Sequence, residues 1–540
     1  MATHEVTNQV PPLSGSALDS DPALTETLDR LGGPSVATSL TRLGRQVRDP
    51  EVLRWGTEAN TYPPVLRTHD RSGHRIDEVE FHPSWHALMA LSVGEGLHAA
   101  PWAAREPHPH LRRAAGFYLA SQAEAGHGCP ISMTYAVLPA LRHQPEVAAR
   151  FEPGLTSRTY AFGLADPAGK PGLIAGMAMT EKQGGSDVRA NTTRARPDGE
   201  GWRLTGHKWF CSAPMSDLFL VLAQVAEAGL TCFCVPRVLP GGDRNPFALQ
   251  RLKDKLGNRS NASAEVEFDT TYGWLVGQPG QGVKTILEMV TMTRLDCVLG
   301  SAAGQRTALT QAAHHTRHRR AFGALLADQP AMMAVIADVQ LEVEAATALA
   351  MRLAAAVDAG ERAFLRLAVA AGKFWICKRS AAVIGEALEC LGGNGYVEES
   401  GLPRLFRESP LNSIWEGSGT VIALDVLRAV ARDDAALADV HAELQAAVGA
   451  NRLYDKAVGR LPVLLAAAEP ERARELAATL CVLLQAAQLV RYAPPEVADT
   501  FCATRLRTDP VGSGVLATGL LGALPPGAPA ARIAARALRS

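Results

Sequence analysis

Ser263-Ala264-Glu265-Val266-Glu267-Phe268 is the stretch on which the fold class turns. Its alternation puts Ala264, Val266 and Phe268 on one face and the polar residues on the other, the signature of a half-buried strand. Working outward, Trp202 to Phe210 follows the turn Pro197-Asp198-Gly199-Glu200-Gly201, and Asp217 to Val225 and Leu230 to Val235 read as further strands with no helix of useful length between them. From Met177 to about Gly277 the pattern predicts a compact antiparallel β domain.

On both sides of that domain the period is helical. Trp85 to Leu91 and His110 to Ala123 place a helical domain ahead of it. After it, Met332, Ile336, Val339, Val343, Ala346, Ala350 and Leu353 form one apolar stripe. Phe374, Cys377, Ala381, Ile384, Leu388 and Leu391 form a second, ended by the helix-stopping Gly392-Gly393-Asn394-Gly395. Two such stripes imply a bundle. A third, Leu476, Leu480, Leu483, Ala487 and Val490, lies in an Ala- and Arg-rich extension that closes on a Gly/Pro-rich tail from Pro510 to Ala530. The expected division is 1–175 helical, 176–280 β, 281–432 helical bundle and 433–540 helical extension, a multidomain α+β protein. If the extension is separable, a chain cut after about residue 435 keeps the function of the rest.

Composition excludes several classes. The 540 residues are 47% hydrophobic and 20% charged, which rules out disorder or a rod as the main architecture. With 54 Lys plus Arg against 55 Asp plus Glu, the net charge of −1 supplies no global pull toward nucleic acid or an acidic membrane. The N-terminus lacks the basic start and apolar core of a secretory signal, and no uninterrupted apolar run approaches the length of a spanning helix, so a cytosolic protein with no membrane partner is expected. Nine cysteines without a C-x-x-C read as reduced thiols, and Cys232-x-Cys234 reads as a core pair on one strand face.

Several motifs fail on spacing. Gly277 to Thr285 resembles a phosphate loop, but Val283 displaces Lys284 from the last glycine, so a strand-to-helix turn is expected. No G-x-G-x-x-G opens a helix after a strand. His314 to Arg320 has no nearby carboxylate or thiol ligands and reads as a basic helix end; no metal is expected. Met177-Ala178-Met179-Thr180-Glu181-Lys182-Gln183-Gly184-Gly185-Ser186-Asp187 is more informative. Its hydroxyls, glycines and sulfur-bearing side chains suit a flat polar ring and a phosphate. A polar surface loop accounts for the composition equally well.

Taken together with Gly206 to Ser212 and Arg407 to Thr420, that loop resembles the acyl-CoA dehydrogenase family of flavoproteins, over roughly residues 80 to 430 and in the family's order. The resemblance implies a helical domain, an antiparallel β domain and a four-helix bundle. It also implies FAD, an acyl-CoA thioester and a homo-oligomer of tetrameric type. Met177 to Asp187 is similar to the family's Thr-Glu-Pro-x-Ala-Gly-Ser-Asp loop, with Lys182 and Gly184 substituted. By that similarity Met177, Met179, Thr180, Gly185 and Ser186 contact FAD, and Ser186 also meets the acyl-CoA. Phe210, Cys211 and Ser212 resemble the Trp-Ile-Thr strand that covers the flavin. Arg319, Phe322, Gly323 and Gln329 resemble a group that reaches the FAD of a neighbouring subunit, with Gln329 one residue closer than usual. Gly393 falls in a cofactor-side loop.

Trp415-Glu416-Gly417-Ser418 resembles Tyr-Glu-Gly-Thr, whose glutamate is the catalytic base. Trp415, Gly417, Ser418 and Gly419 are then cofactor contacts, with Trp415 beside the acyl chain. A carboxylate suits the chemistry, because an α-proton must be removed as hydride leaves the β-carbon. Glu416 alone reads as well as an exposed loop acid.

The strings Met179 to Asp187, Leu252 to Ser263 and Asn412 to Gly419, with the extension, are most similar to the AidB branch of the family. That resemblance implies a link to the DNA alkylation response, short branched acyl-CoA turnover of a weak kind, and double-stranded DNA bound through the extension. Arg428, Arg505, Arg507, Arg532 and Arg536 are the implied phosphate contacts. Residues 431–540 hold 12 basic and 11 acidic side chains, net +1, so an ordinary solvated helix face accounts for these arginines about as well. The alternative function is a metabolic acyl-CoA dehydrogenase with no DNA role.

Overall fold

The computed structural model describes residues 3–506 and 521–539. They form two compact units, each assembled from separated stretches of chain. One unit collects Pro50–Pro109 and Ala123–Asp296. The other collects the described residues up to Asp49, His110–Gln122 and those from Cys297 onward.

The first unit contains the sheet. After a hairpin of β1 (Val65–His69) and β2 (Arg75–Glu80) come β3 (Ala175–Ala178), β4 (Arg194–Asp198), β5 (Gly201–Ser212), β6 (Leu218–Val225), β7 (Gly229–Pro236), β8 (Ala248–Leu252) and β9 (Ser263–Val276). The pairings β6–β4, β4–β5, β5–β9, β9–β7 and β7–β6 close a ring, with β3 added to β6 and β8 to β9. Closure removes the exposed edges of the ring strands. Most pairs are antiparallel as expected, but β6 runs parallel to both β3 and β4. Ala264, Val266 and Phe268 are buried together with Phe219, Phe233 and Phe247. Gly206 is fixed as glycine, since φ is +151° and a Cβ there would lie 2.5 Å from the Thr193 hydroxyl oxygen. Cys232 and Cys234 are both buried on β7, as their spacing suggested.

Helices Pro50–Thr61, Pro83–Gly94, Gly128–Leu141 and Pro145–Thr156 belong to the same unit. A buried carboxylate, Glu124, joins them to the sheet. It accepts from the Gly126 and His127 backbone N–H groups (both 2.8 Å), Asn60 Nδ2 (2.9 Å) and Ser260 Oγ (2.7 Å), and pairs with His127 Nδ1 at 2.9 Å. Burial alone would raise its pKa, but the His127 contacts and the Asn60 donor outweigh it and bring it to about 2. A carboxyl depressed in the fold contributes stability above its unfolded pKa and loses it as pH falls. Glu124→Gln is therefore expected to cost about 3 kcal/mol at pH 7 and progressively less from about pH 4.5 down to 2, read from urea midpoints across that range. A pH-independent difference would contradict this.

The second unit is helical. Pro330–Asp358 and Arg362–Glu389 carry the two bundle stripes, Gly419–Arg432 is a further helix of this unit, and the long helix Gly282–His318, whose part from Cys297 onward belongs here, starts at the turn anticipated after Gly277. Pro470–Tyr492 is apolar and long enough by composition to cross a membrane; here it lies mostly buried as a core helix. One departure from expectation matters for function. Pro330–Asp358 is buried well beyond its apolar stripe, including Asp338, Glu342 and Glu344. Arg505 bonds Asp338 at 2.6 Å and Glu342 at 2.8 Å, Arg379 bonds Glu342 at 3.0 Å, and Arg536 bonds Glu344 at 2.6 Å and Glu26 at 2.7 Å. Glu443 likewise receives Arg352 at 2.9 Å and Gln488 at 2.6 Å. The extension thus shares one core with the bundle, in which Leu521, Ala537 and Leu538 pack with Ile336, Val339 and Val343. A cut after residue 435 would strip Arg505 from Asp338 and Glu342 and Arg536 from Glu344, so the extension is not the separable module considered above.

Candidate functional site

In the strand-bearing unit the loop after β3 is held from within. Glu181, fully buried, accepts from Thr192 N (2.7 Å), Thr192 Oγ1 (2.9 Å), Thr193 N (3.1 Å) and Gln183 Nε2 (2.8 Å), and is paired with Lys208 Nζ at 2.8 Å. Burial opposes its charge, yet Lys208 and these donors hold it well below the usual carboxylate range. Lys208 is itself pushed down to about 8 by burial, against the pull of Glu181. It also donates to the Leu222 carbonyl oxygen at 2.8 Å. The sequence reading missed this pair; its signal is a lysine at an inward register of β5 together with the acid of the Thr180-Glu181 string.

The outer surface of the loop is thereby fixed. The Trp209 N–H donates to the Thr180 carbonyl oxygen at 2.9 Å, bringing Thr180 alongside the strand that carries Phe210 and Ser212. Gly185 must remain glycine, because a Cβ would lie 2.4 Å from Thr180 Oγ1. Ser186 is exposed and Met179 half-buried. Phe210 presents a 51% exposed ring, with the Lys253 ammonium 4.8 Å from its centroid and 3.3 Å from that of Trp209. Ser212 Oγ lies 3.1 Å from Ser263 Oγ. Met177 and Cys211 need correction as side-chain contacts. Both are buried in the interior, paired in the sheet with Leu220 and Ala264 respectively, and burial pushes the Cys211 thiol up to about 12.

In the helical unit, Glu416 sits half-buried at φ +58°, a left-handed conformation that costs a residue with a Cβ about 1–3 kcal/mol. Its flanks hold it there. Trp415 Nε1 donates to Asn412 Oδ1 at 2.9 Å, Asn412 Nδ2 to Ser301 Oγ at 3.1 Å, and buried Lys373 Nζ to the Gly417 carbonyl oxygen at 2.6 Å. Ser418 is the N-cap of Gly419–Arg432. A Cβ on Gly419 would stand 3.3 Å from Lys378 Nζ and 3.7 Å from Arg474 Nη1. Burial lowers the Lys378 pKa, and Arg474 and Lys373 add like-charge repulsion. A helix N-terminus ringed by three cations suits phosphate oxygens. Gly393 is exposed, just beyond Gly392 at φ +60°.

Arg319, Phe322 and Gln329 are brought together by a hairpin of Arg320–Ala321 and Ala324–Leu325. The Leu326 N–H donates to the Arg319 carbonyl oxygen at 2.9 Å, and Gln329 Nε2 to that of Ala321 at 3.4 Å. Phe322 at the tip is 98% exposed. An aromatic ring with so little contact to its own chain suits a site completed by another copy.

The arginines assigned to DNA separate into groups. Arg505 and Arg536 are corrected: their guanidinium groups are committed to buried carboxylates. Arg428 and Arg532 are exposed, Arg428 with Nε bonded to the Leu424 carbonyl oxygen at 3.1 Å. Arg507 lies outside the described residues.

A helical segment, a closed strand domain and a helical bundle, carrying a hydroxyl-and-aromatic face, a strained glutamate and a cationic helix terminus, define a flavoprotein of acyl-CoA dehydrogenase type. Comparison with known proteins agrees. The model "Acyl-CoA dehydrogenase, middle domain" matches residues 176–271, "Acyl-CoA dehydrogenase, C-terminal domain" matches 280–431, and "Adaptive response protein AidB N-terminal domain" matches 8–162. The chain is 47% identical to the AidB protein of Escherichia coli strain K12 over 94% of its own length and 95% of that protein's. It is 30% identical to acyl-CoA dehydrogenase family member 11 of Caenorhabditis elegans, over 78% of this chain and 72% of that one. The crystal structure of Caenorhabditis elegans ACDH-11 in complex with C11-CoA superposes with a TM-score of 0.83 at 26% identity, over 93% and 92% of the two chains. This chain belongs to the acyl-CoA dehydrogenase family, in its AidB branch, and is an FAD-dependent oxidoreductase. The residues present fit that cofactor: within the strand-bearing unit an exposed aromatic side chain at Phe210 and the hydroxyls of the neighbouring loop and strand suit a flat polar ring.

Proposed function

We propose that the enzyme removes the α-proton of an acyl-CoA thioester with the Glu416 carboxylate. The observation that carries this reading is the strained backbone of Glu416, clamped between Trp415 on Asn412 and Gly417 on Lys373. FAD, when bound, supplies the acceptor for the hydride that leaves the β-carbon as the α,β double bond forms. Glu416 takes and holds the proton, and Trp415 walls the acyl chain. Thr180, Ser186, Phe210, Ser212, Gly393 and Gly417 to Gly419 hold the cofactor, Met179 and Gly185 shaping their loop. Arg319, Phe322 and Gln329 serve the FAD of a neighbouring copy in a homotetramer. A short branched acyl chain is the substrate class suggested by the resemblance. Anaerobic mixing of the holoprotein with a panel of acyl-CoAs tests this; loss of flavin absorbance with at least one is expected, and no loss with any would remove the reading.

Double-stranded DNA is the second proposed partner, in a cytosolic protein of the alkylation response. The specific support is exposed Arg428, together with exposed Arg532 and 47% identity to AidB. Contacts to phosphates alone make binding weakly sequence-specific and salt-sensitive, with a log–log slope of about −0.9 per phosphate neutralised. Arg428→Ala is expected to weaken duplex binding across all sequences and to reduce that slope by about one, measured by titration at two salt concentrations. An unchanged slope would take Arg428 out of this role, and absence of duplex binding would favour the purely metabolic alternative.

A further inference from the structure

The basic end of helix Gly282–His318 gathers both ends of the chain. His314 Nε2 lies 2.7 Å from the Pro11 carbonyl oxygen, and the Arg317 guanidinium donates to the carbonyl oxygens of Leu538 and Ala535. Beyond it, the Asn8 side chain pairs with the Arg320 backbone as a strand neighbour would. Asn8 Nδ2 donates to the Arg320 carbonyl oxygen at 2.9 Å, and Asn8 Oδ1 accepts from the Arg320 N–H at 2.9 Å. Arg319 Nη1 donates to the Asn8 carbonyl oxygen at 2.6 Å.

The hairpin gripped in this way is minimal. Its register pairs Arg320 with Leu325 and Ala321 with Ala324, leaving Phe322 and Gly323 as a two-residue loop at φ +51° and +83°. Two residue pairs are too few to hold a hairpin's direction in water without outside support. Asn8 supplies that support at the residue where the strand begins, and its φ of +55° aims the amide at Arg320.

We propose that Asn8 is a positioning residue for the flavin site: the N-terminal arm fixes the Arg319–Phe322 hairpin in the pose that reaches the FAD of a neighbouring copy. This rests on the reading of Arg319, Phe322 and Gln329 given above. An amide is suited to the task because it offers one donor and one acceptor side by side to a single residue's backbone.

The test uses the full-length holoprotein. Asn8→Gly keeps the left-handed backbone and deletes both side-chain bonds, while Asn8→Asp keeps the acceptor for the Arg320 N–H. Each is measured for FAD release by recovery of flavin fluorescence and for oligomer mass, alone and with Phe322→Ala. Asn8→Gly is expected to weaken FAD retention about tenfold, the size of effect of one or two hydrogen bonds, with Asn8→Asp intermediate. In the Phe322→Ala background Asn8→Gly should add nothing, and the unfolding midpoint of the flavin-free protein should not move. Equal losses in both backgrounds, or no loss, would overturn the role of Asn8. Unchanged retention in Phe322→Ala alone would instead overturn the hairpin reading on which it rests.

Discussion

Arg505→Ala is expected to destabilise the protein by about 3–5 kcal/mol, because it leaves Asp338 and Glu342 charged, buried and short of their shared partner. Burial opposes charge on Glu342, and it is Arg505 and then Arg379 that bring its pKa below the ordinary value. Arg505 is raised in turn by the two carboxylates, against the cost of its own burial. Urea unfolding at pH 7 measures the loss. Replacing all three members together by apolar residues, as in Arg505→Met with Asp338→Leu and Glu342→Leu, should recover most of it, since no orphaned charge remains. A loss below about 1 kcal/mol for the single variant would mean that the guanidinium is not the counter-ion of this core.

Glu416→Gln is expected to lower the turnover rate with an acyl-CoA by about 10²–10⁴-fold while leaving FAD retention near that of the unaltered protein. The amide keeps the size of the side chain and removes its capacity to take a proton. Glu416→Gly separates chemistry from stability. It should lose the rate equally, yet gain about 1 kcal/mol in unfolding free energy, because glycine adopts φ +58° without strain. A glycine variant that is less stable would show that Glu416 is held by contacts that outweigh its backbone strain.

The contrast between these two residues marks what could be read from sequence. Glu416 lies inside a contiguous string whose neighbours hold its backbone, so the signal on which its proposed role rests is local. Arg505 gives no such signal. Its partners lie more than 160 positions earlier on a helix whose Asp338, Glu342 and Glu344 fall off the apolar stripe and read as solvent-facing. Arg532 and Arg536, both implied phosphate contacts, lie four positions apart, the spacing of one helix face. The helix runs only from Ala530 to Ala535, and Arg536, just past its end, turns to Glu26 and Glu344.

The strands show the same division. Ser263 to Phe268 was legible because one face is buried and alternation survives. β3, with all four residues buried, has no alternation to read, and the parallel pairings of β6 depend on partners far along the chain. Lys208 was invisible for a related reason: a charged residue at an inward position makes sense only once Glu181 is seen beneath the loop. The bundle stripes were legible because each repeats over many turns, whereas Asn8 acts through a single pair of bonds across more than 300 residues.

The most direct test of proton abstraction by Glu416 is an anaerobic single-turnover experiment on the FAD-loaded protein, following flavin absorbance after mixing with the acyl-CoA that bleaches it fastest. The expected result is rapid bleaching in the unaltered protein and a rate at least a hundredfold lower in Glu416→Gln, with acyl-CoA binding retained. Bleaching at an undiminished rate in Glu416→Gln would contradict the assignment and place the base elsewhere.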